Sequence, residues 1–231
     1  MGNRAVITTI SAEPKDSTAI GCYIHWNGGR DSVEAFLTYC KLKGYRPPET
    51  DCYGWARLCQ VIGNFFGGGL SLGVDQCCNL DCDNYDNGTY IIKDWEIVDR
   101  KYNSGFEQNT YDLTDMLIAI DKAQPAREQF GEDFFLAKEV PIEELKIGDY
   151  VYMFDDIESK YEKFKVVGFG EKEYVNGVPT LNRPYVNKYG DETRGYADNC
   201  NNYIRSETVK KAKRKIHIVK IKQHKIKGVR Y

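Results

Sequence analysis

Gly21-Cys22-Tyr23-Ile24-His25-Trp26-Asn27-Gly28-Gly29-Arg30-Asp31-Ser32-Val33 is the stretch that decides the fold class. Cys22, Ile24 and Trp26 alternate with Tyr23 and His25, which is the period of a half-buried strand. Asn27-Gly28-Gly29 ends that pattern. Asp31 or Ser32 then caps a helix, because a short side-chain oxygen accepts from the free N–H groups of a first turn. The helix carries Val33, Phe36, Leu37 and Cys40 at i, i+3, i+4 and i+7, and it runs to about Lys43, where Gly44 and Pro47-Pro48 stop it. A strand that turns directly into an amphipathic helix builds a sheet with helices laid on one side.

The flanking segments extend this pattern. Residues 4–9 and 70–74 read as strands. Residues 53–66 read as a second helix with the stripe Trp55, Leu58, Cys59, Ile62, Phe65, ended by Gly67-Gly68-Gly69. Residues 81–88 form a tight acidic turn ending in the hairpin dipeptide Asn87-Gly88, and 89–98 supply the returning strand, or two strands broken at Lys93-Asp94. Residues 112–123 place Leu113, Met116, Leu117 and Ile120 on one helical face, and Pro125 closes that helix. Between Arg127 and Glu144 the periodicity is lost, and β patterns follow: 147–154, a bending strand with Phe164, Val166, Gly168 and Gly170, a hairpin turn at Asn176-Gly177, and strand character at Ile216, Ile218 and Ile221. The expectation is an α+β chain. Residues 1–130 form an α/β domain with a short sheet, three helices and a cysteine-rich metal loop. Residues 131–231 form a small SH3-like β-barrel domain with a basic C-terminal strand.

The 231 residues carry a formal net charge of −2. That figure conceals a split. Ten Lys and Arg and no acid fall between Val209 and Tyr231, leaving 22 basic against 34 acidic residues, so the body carries −12. An acidic body repels nucleic acid and suits a basic partner, whereas the tail from Lys210 to Arg230 offers a nucleic-acid contact or a solvated last strand. No apolar run is long enough to span a bilayer, no secretory leader pattern opens the chain, and no Ser or Thr stands at the sixth position for myristoylation. With 8 Cys and no export signal, a reducing cytoplasm is the expected home, which favours thiols and metal over disulfides.

Cys22, Cys40 and Cys59 fall on apolar stripes and need no chemistry. Cys52, Cys77, Cys78 and Cys82 fall in polar, turn-rich segments within 31 positions. Loop thiols so clustered point to a tetrahedral thiolate site, with structural zinc as the cofactor. Cys77 and Cys78 are adjacent, so one gives way to His25 or a nearby Asp in that arrangement. Unliganded thiols and a disulfide remain the alternatives. The acidic run Asp81-Cys82-Asp83-Asn84-Tyr85-Asp86-Asn87-Gly88 has calcium-like composition without the EF-hand order, so it reads as a flank of the zinc loop or a solvated knob. A dyad of His25 with Cys52 or Cys59 is compatible with the spacing, and nothing else supports it. No catalytic residue is assigned.

Asn27-Gly28-Gly29-Arg30-Asp31-Ser32 resembles the SGGxDS loop of the PP-loop ATP pyrophosphatases, with Asn27 in place of Ser. That resemblance implies an ATP-using enzyme that holds pyrophosphate at Gly28, Gly29, Asp31 and Ser32, as glycines and a helix N-terminus do. The same residues also make an ordinary strand-to-helix turn. A second resemblance is longer. GCYIHWNGGRDSV (21–33), GWARLCQVIGNFFG (54–67) and DCDNYDNGTYIIKDWEIV (81–98) resemble uncharacterised proteins encoded by phages and integrative elements of Gram-positive bacteria. The resemblance implies a mobile-element inhibitor that binds a host defence protein, in the manner of a cysteine-rich, metal-binding anti-CRISPR protein acting on the effector nuclease of a type II system. The enzyme and a nucleic-acid-binding accessory protein remain the other classes.

Overall fold

The structure is a computed structural model that describes residues 2–9, 13–68, 71–102, 105, 107–155, 160–170, 173–175, 178–180, 183–187, 201–203 and 208–212. Five strands form the first sheet: β1 (Ala5–Thr8), β2 (Ile20–Ile24), β3 (Leu72–Gln76), β4 (Thr89–Lys93) and β5 (Glu96–Lys101). Their order is β3-β2-β1-β4-β5, and β1–β4 is the single parallel pair among antiparallel neighbours. Helices α1 (Arg30–Leu42), α2 (Cys52–Phe66) and α3 (Leu113–Ala123) cover one face.

Alternation along the strands explains the two layers. Ala5, Ile7, Cys22, Ile24, Tyr90 and Ile92 point to the helices, which return the stripes Val33, Phe36, Leu37, Cys40 and Leu58, Ile62 and Met116, Leu117, Ile120. Phe36 is fully buried with its ring 5.3 Å from that of Phe65. Burial of such a side chain contributes roughly 2–3 kcal/mol. Leu113 lies outside this core and is exposed. Val6, Thr8 and Ile91 face the other way, and Val6 packs beneath Cys77 and Cys82.

Caps set the helix ends. Asp51 accepts from the N–H of Tyr53, and Asp112 accepts from those of Thr114 and Asp115. The first helix differs from expectation. Its N-cap is Gly29, not Asp31 or Ser32, because the Asp31 carboxylate is spent on a distant loop. The hairpin also moves. The two-residue turn joining β4 and β5 is Asp94-Trp95, both at positive φ, whereas Asn87-Gly88 sits ahead of β4. Trp95 accepts the left-handed backbone because its indole is buried and donates to the carbonyl of Tyr45 at 2.8 Å. The third strand begins at Leu72, two residues later than expected.

After α3 come α4 (Glu132–Phe135) and β6 (Lys138–Pro141), then β7 (Tyr150–Asp155), β8 (Lys160–Gly170), β9 (Glu173–Val175), β10 (Val178–Thr180), β11 (Arg183–Asn187), β12 (Asn201–Tyr203) and β13 (Thr208–Lys211). Strands β9 and β10 pair as a separate ribbon flanking the expected turn at Asn176-Gly177, which itself lies outside the described residues. The others form an antiparallel sheet ordered β12-β11-β8-β7-β13-β6. Mixed α+β architecture is therefore correct, but the SH3-like barrel is not. Among the described residues, β6 and β12 stand at opposite edges of an open sheet. The start of the basic strand pairs between β7 and β6 instead of closing a ring, and Ile216, Ile218 and Ile221 lie outside the described residues.

On the described strands β7, β8 and β13, side chains of both faces find partners without closure. Tyr152 and Tyr161 meet Phe134 at ring distances of 5.1 and 5.2 Å, which ties this face to the helical core. Val151, Phe164, Val166 and Val209 pack on the other face against Ile142 and Leu145. Asp121 fastens the connecting segment: its buried carboxylate accepts from Tyr39 Oη at 2.8 Å and from the N–H groups of Phe130 and Gly131 at 2.9 Å each. Among the described residues no helix is long and apolar enough to cross a membrane.

Candidate interaction site

Residues 81–88, expected as a metal flank or a solvated knob, form an ordered loop built around two side chains. Asn84 is 1% exposed. Its Nδ2 donates to the carbonyls of Asp81 and Gly88, both at 3.1 Å, and its Oδ1 accepts from the N–H groups of Asp86 and Gly88. One amide thus closes the loop from within. Gly88 at φ +71° lies against the returning strand, where an added Cβ would sit 2.3 Å from the carbonyl oxygen of Lys101. Only glycine fits there.

Arg4 supplies the cation that the acidic composition requires. Its Nε meets Asp86 at 2.7 Å, its Nη1 meets Asp81 at 3.2 Å, and its Nη2 donates to the carbonyl of Asn84 at 2.6 Å. Burial pushes the Asp86 carboxyl upward, but the hydrogen bonds and charge of Arg4 prevail and hold it below the usual range. Asn87 ties the other end to the carbonyl of Arg4 at 3.1 Å. At the apex stands Tyr85, at φ +57° and 81% exposed, beside the exposed Asp83.

The four thiols expected to share a metal do not gather. Cys52 is the first residue of α2 and is exposed, and so is Cys78. Cys77 and Cys82 are buried together over Val6. Cys77 Sγ lies 3.4 Å from Thr8 Oγ1, and Cys82 Sγ lies 3.4 Å from the carbonyl of Cys77. The hydrogen bond from Cys82 pushes the Cys77 thiol down to about 6, while that bond and burial push Cys82 up. Among the described residues no three His, Cys, Asp or Glu side chains form a group able to hold a metal ion.

Gly28, Gly29, Asp31 and Ser32 of the glycine loop are buried. Gly28 N donates to Asn3 O at 2.8 Å, and a Cβ on Gly28 would fall 2.6 Å from the backbone of Asn3 and Arg4. Arg30 N donates to Gln108 O, and Ser32 N to the Asp31 carboxylate. The other Asp31 oxygen takes the N–H groups of Thr110 and Tyr111 at 2.5 and 2.8 Å. Glu107 lies between Arg30 and Arg100, at 2.8 and 3.5 Å, and accepts from Tyr90 Oη at 3.0 Å. Residues 107–111 therefore lie across the start of α1, and the N–H groups of Gly28, Arg30 and Ser32 are spent within the chain.

His25 Nδ1 is 2.8 Å from Tyr23 Oη and its ring meets that of Trp26, while Cys59 hydrogen-bonds with Cys22. Of the dyad that the spacing allowed, His25 and Cys59 thus have other partners, and Cys52 is exposed at the start of α2. Of the basic tail, Lys210 lies 4.8 Å over the Phe134 ring and Lys211 pairs with Asp149 at 2.6 Å, so the first two charges serve the sheet. Lys213 onward lies outside the described residues. The role of Arg4 is not legible in the sequence because its partners lie 77–82 positions away, brought near by the parallel β1–β4 pairing, whereas the Asn84 partners are all within the loop. The one available signal was an Asn-rich run of acids with no cation of its own. No family model, no curated protein and no solved structure matches the chain.

Proposed function

We propose that the protein is an inhibitor that acts by binding a host defence protein, with the RNA-guided effector nuclease of a type II CRISPR system as the target. The observation that carries this reading is the ordered loop at residues 81–88, which holds an exposed Tyr85 beside acidic side chains on a body of charge −12. Tyr is a rigid anchor with apolar area and a polar tip, so it costs little conformational entropy on binding. The loop is already organised by Asn84 and Arg4, and a preorganised element does not pay an ordering cost when it docks. The guide–target duplex of such a nuclease lies in a positively charged channel, to which an acidic body is complementary.

DNA cleavage by purified, guide-loaded type II nucleases, with and without molar excess of this protein, tests the reading. Cleavage should fall, and the inhibition should weaken as salt rises, because exposed charges are screened over about 8 Å at physiological ionic strength. Undiminished cleavage across several such nucleases rejects the proposal.

A further inference from the structure

We propose that Cys77 and Cys82 form an oxidation site, closing to an intramolecular disulfide when the protein meets hydrogen peroxide. The two residues are buried in one cluster and touch: Cys82 Sγ lies 3.4 Å from the carbonyl oxygen of Cys77, Cys77 Sγ lies 3.4 Å from Thr8 Oγ1, and the two side chains hydrogen-bond. They lie at either end of one short turn. Residues Cys77–Asn79 form a single 3-10 turn, Leu80 N donates back to the Cys77 carbonyl at 3.0 Å, and Cys82 N donates to Leu80 O at 2.8 Å. Closing a ring this small costs little chain entropy.

The same chain holds a second thiol pair, Cys22 with Cys59, and the difference between the two pairs decides which reacts. A disulfide needs its sulfurs at about 2.05 Å, well inside a thiol–thiol hydrogen bond. Cys22 and Cys59 also hydrogen-bond, but they belong to β2 and α2, two elements fixed in place by the core packed around them. Drawing them together moves a helix. Cys77 and Cys82 need only a shift within their turn, whose far side is the exposed stretch Cys78, Asn79 and Asp81. The low Cys77 thiol supplies thiolate at neutral pH, which is the reacting form.

The reaction balances with peroxide as the sole co-reactant. The Cys77 sulfur attacks one peroxide oxygen, the O–O bond breaks, and hydroxide leaves and takes up a proton as water. Cys77 is then a sulfenic acid. The Cys82 sulfur attacks the Cys77 sulfur, the S–O bond breaks, and the second water departs with the Cys82 proton. Two thiols lose two electrons in total, and one peroxide is reduced to two waters.

The test is a hydrogen peroxide titration of the full chain, followed by alkylation under denaturing conditions, proteolysis without reduction and mass spectrometry. A Cys77–Cys82 cross-linked peptide should appear and vanish on treatment with a thiol reductant, while Cys22, Cys40 and Cys59 stay alkylated. In Cys82→Ser, the Cys77 sulfenic acid should persist and give about tenfold more adduct with a 1,3-diketone probe than the parent protein does. Cys78→Ser should cross-link as the parent does. A cross-link through any other cysteine, equal diketone labelling of parent and Cys82→Ser, or failure of Cys78→Ser to cross-link overturns the assignment.

Discussion

Replacing Asn84 with Ala removes the side chain on which the 81–88 loop is built, so its cost follows from the bonds lost. The amide makes four hydrogen bonds, two of them to the N–H and carbonyl of buried Gly88. Each is worth about 1 kcal/mol net, and a buried group left unpaired costs about 1–3 kcal/mol. The partners at Asp81 and Asp86 are only part-buried, so water recovers part of the loss, which leaves a destabilisation of about 3 kcal/mol. For a protein of this length that lowers the melting temperature by roughly 6–12 °C. Urea denaturation followed by circular dichroism gives the free energy directly, with Tyr85→Ala as the control. Tyr85 is exposed and supports nothing beneath it, so its removal should cost under about 0.5 kcal/mol. An Asn84→Ala loss below about 1 kcal/mol, no larger than a surface change, refutes the idea that one amide organises the loop.

Other outcomes follow from the same geometry. Arg4→Met should destabilise by about 1–2 kcal/mol at neutral pH. Because Arg4 holds the Asp86 carboxyl below its usual range, this advantage of the parent is full above the unfolded carboxylate value and is lost as pH falls below about 4, so the two unfolding curves should converge in acid. Asp121→Ala strips the shared acceptor from Tyr39, Phe130 and Gly131 and should cost about 3 kcal/mol, with protease cleavage appearing near residues 125–131. In the reduced native protein, Cys52 and Cys78 should react with a thiol reagent well before Cys22 or Cys40, as peptide mapping reads. Protection of Cys52 and Cys78 that a chelator removes would instead restore the four-cysteine zinc site.

What could be read from the sequence was local. The stripe Val33, Phe36, Leu37, Cys40 is buried as its period requires, and the helix expected over 112–123 is found at Leu113–Ala123. Cys22 and Cys40 behave as the small hydrophobes that their spacing implied. Features set by distant partners were not legible. Asp31 looked like a cap or a catalytic group, and its carboxylate is bound 79 and 80 positions away. Asn87-Gly88 is the stronger turn dipeptide, yet burial of the Trp95 indole moved the hairpin to Asp94-Trp95. The barrel failed for a similar reason: alternation specifies a strand's faces and not its neighbour, and β13 inserted between β6 and β7. Cys52 read as part of a polar loop because the helix start is marked by Asp51, one residue before it.

The binding claim is tested most directly by sedimentation of the protein with a guide-loaded type II nuclease at low and high salt, for the parent chain and for Tyr85→Ala. The parent should form a one-to-one complex, weaker at high salt, and at least about tenfold weaker when Tyr85 is removed, the scale of a central aromatic anchor. Independent sedimentation of the two proteins at low salt contradicts it.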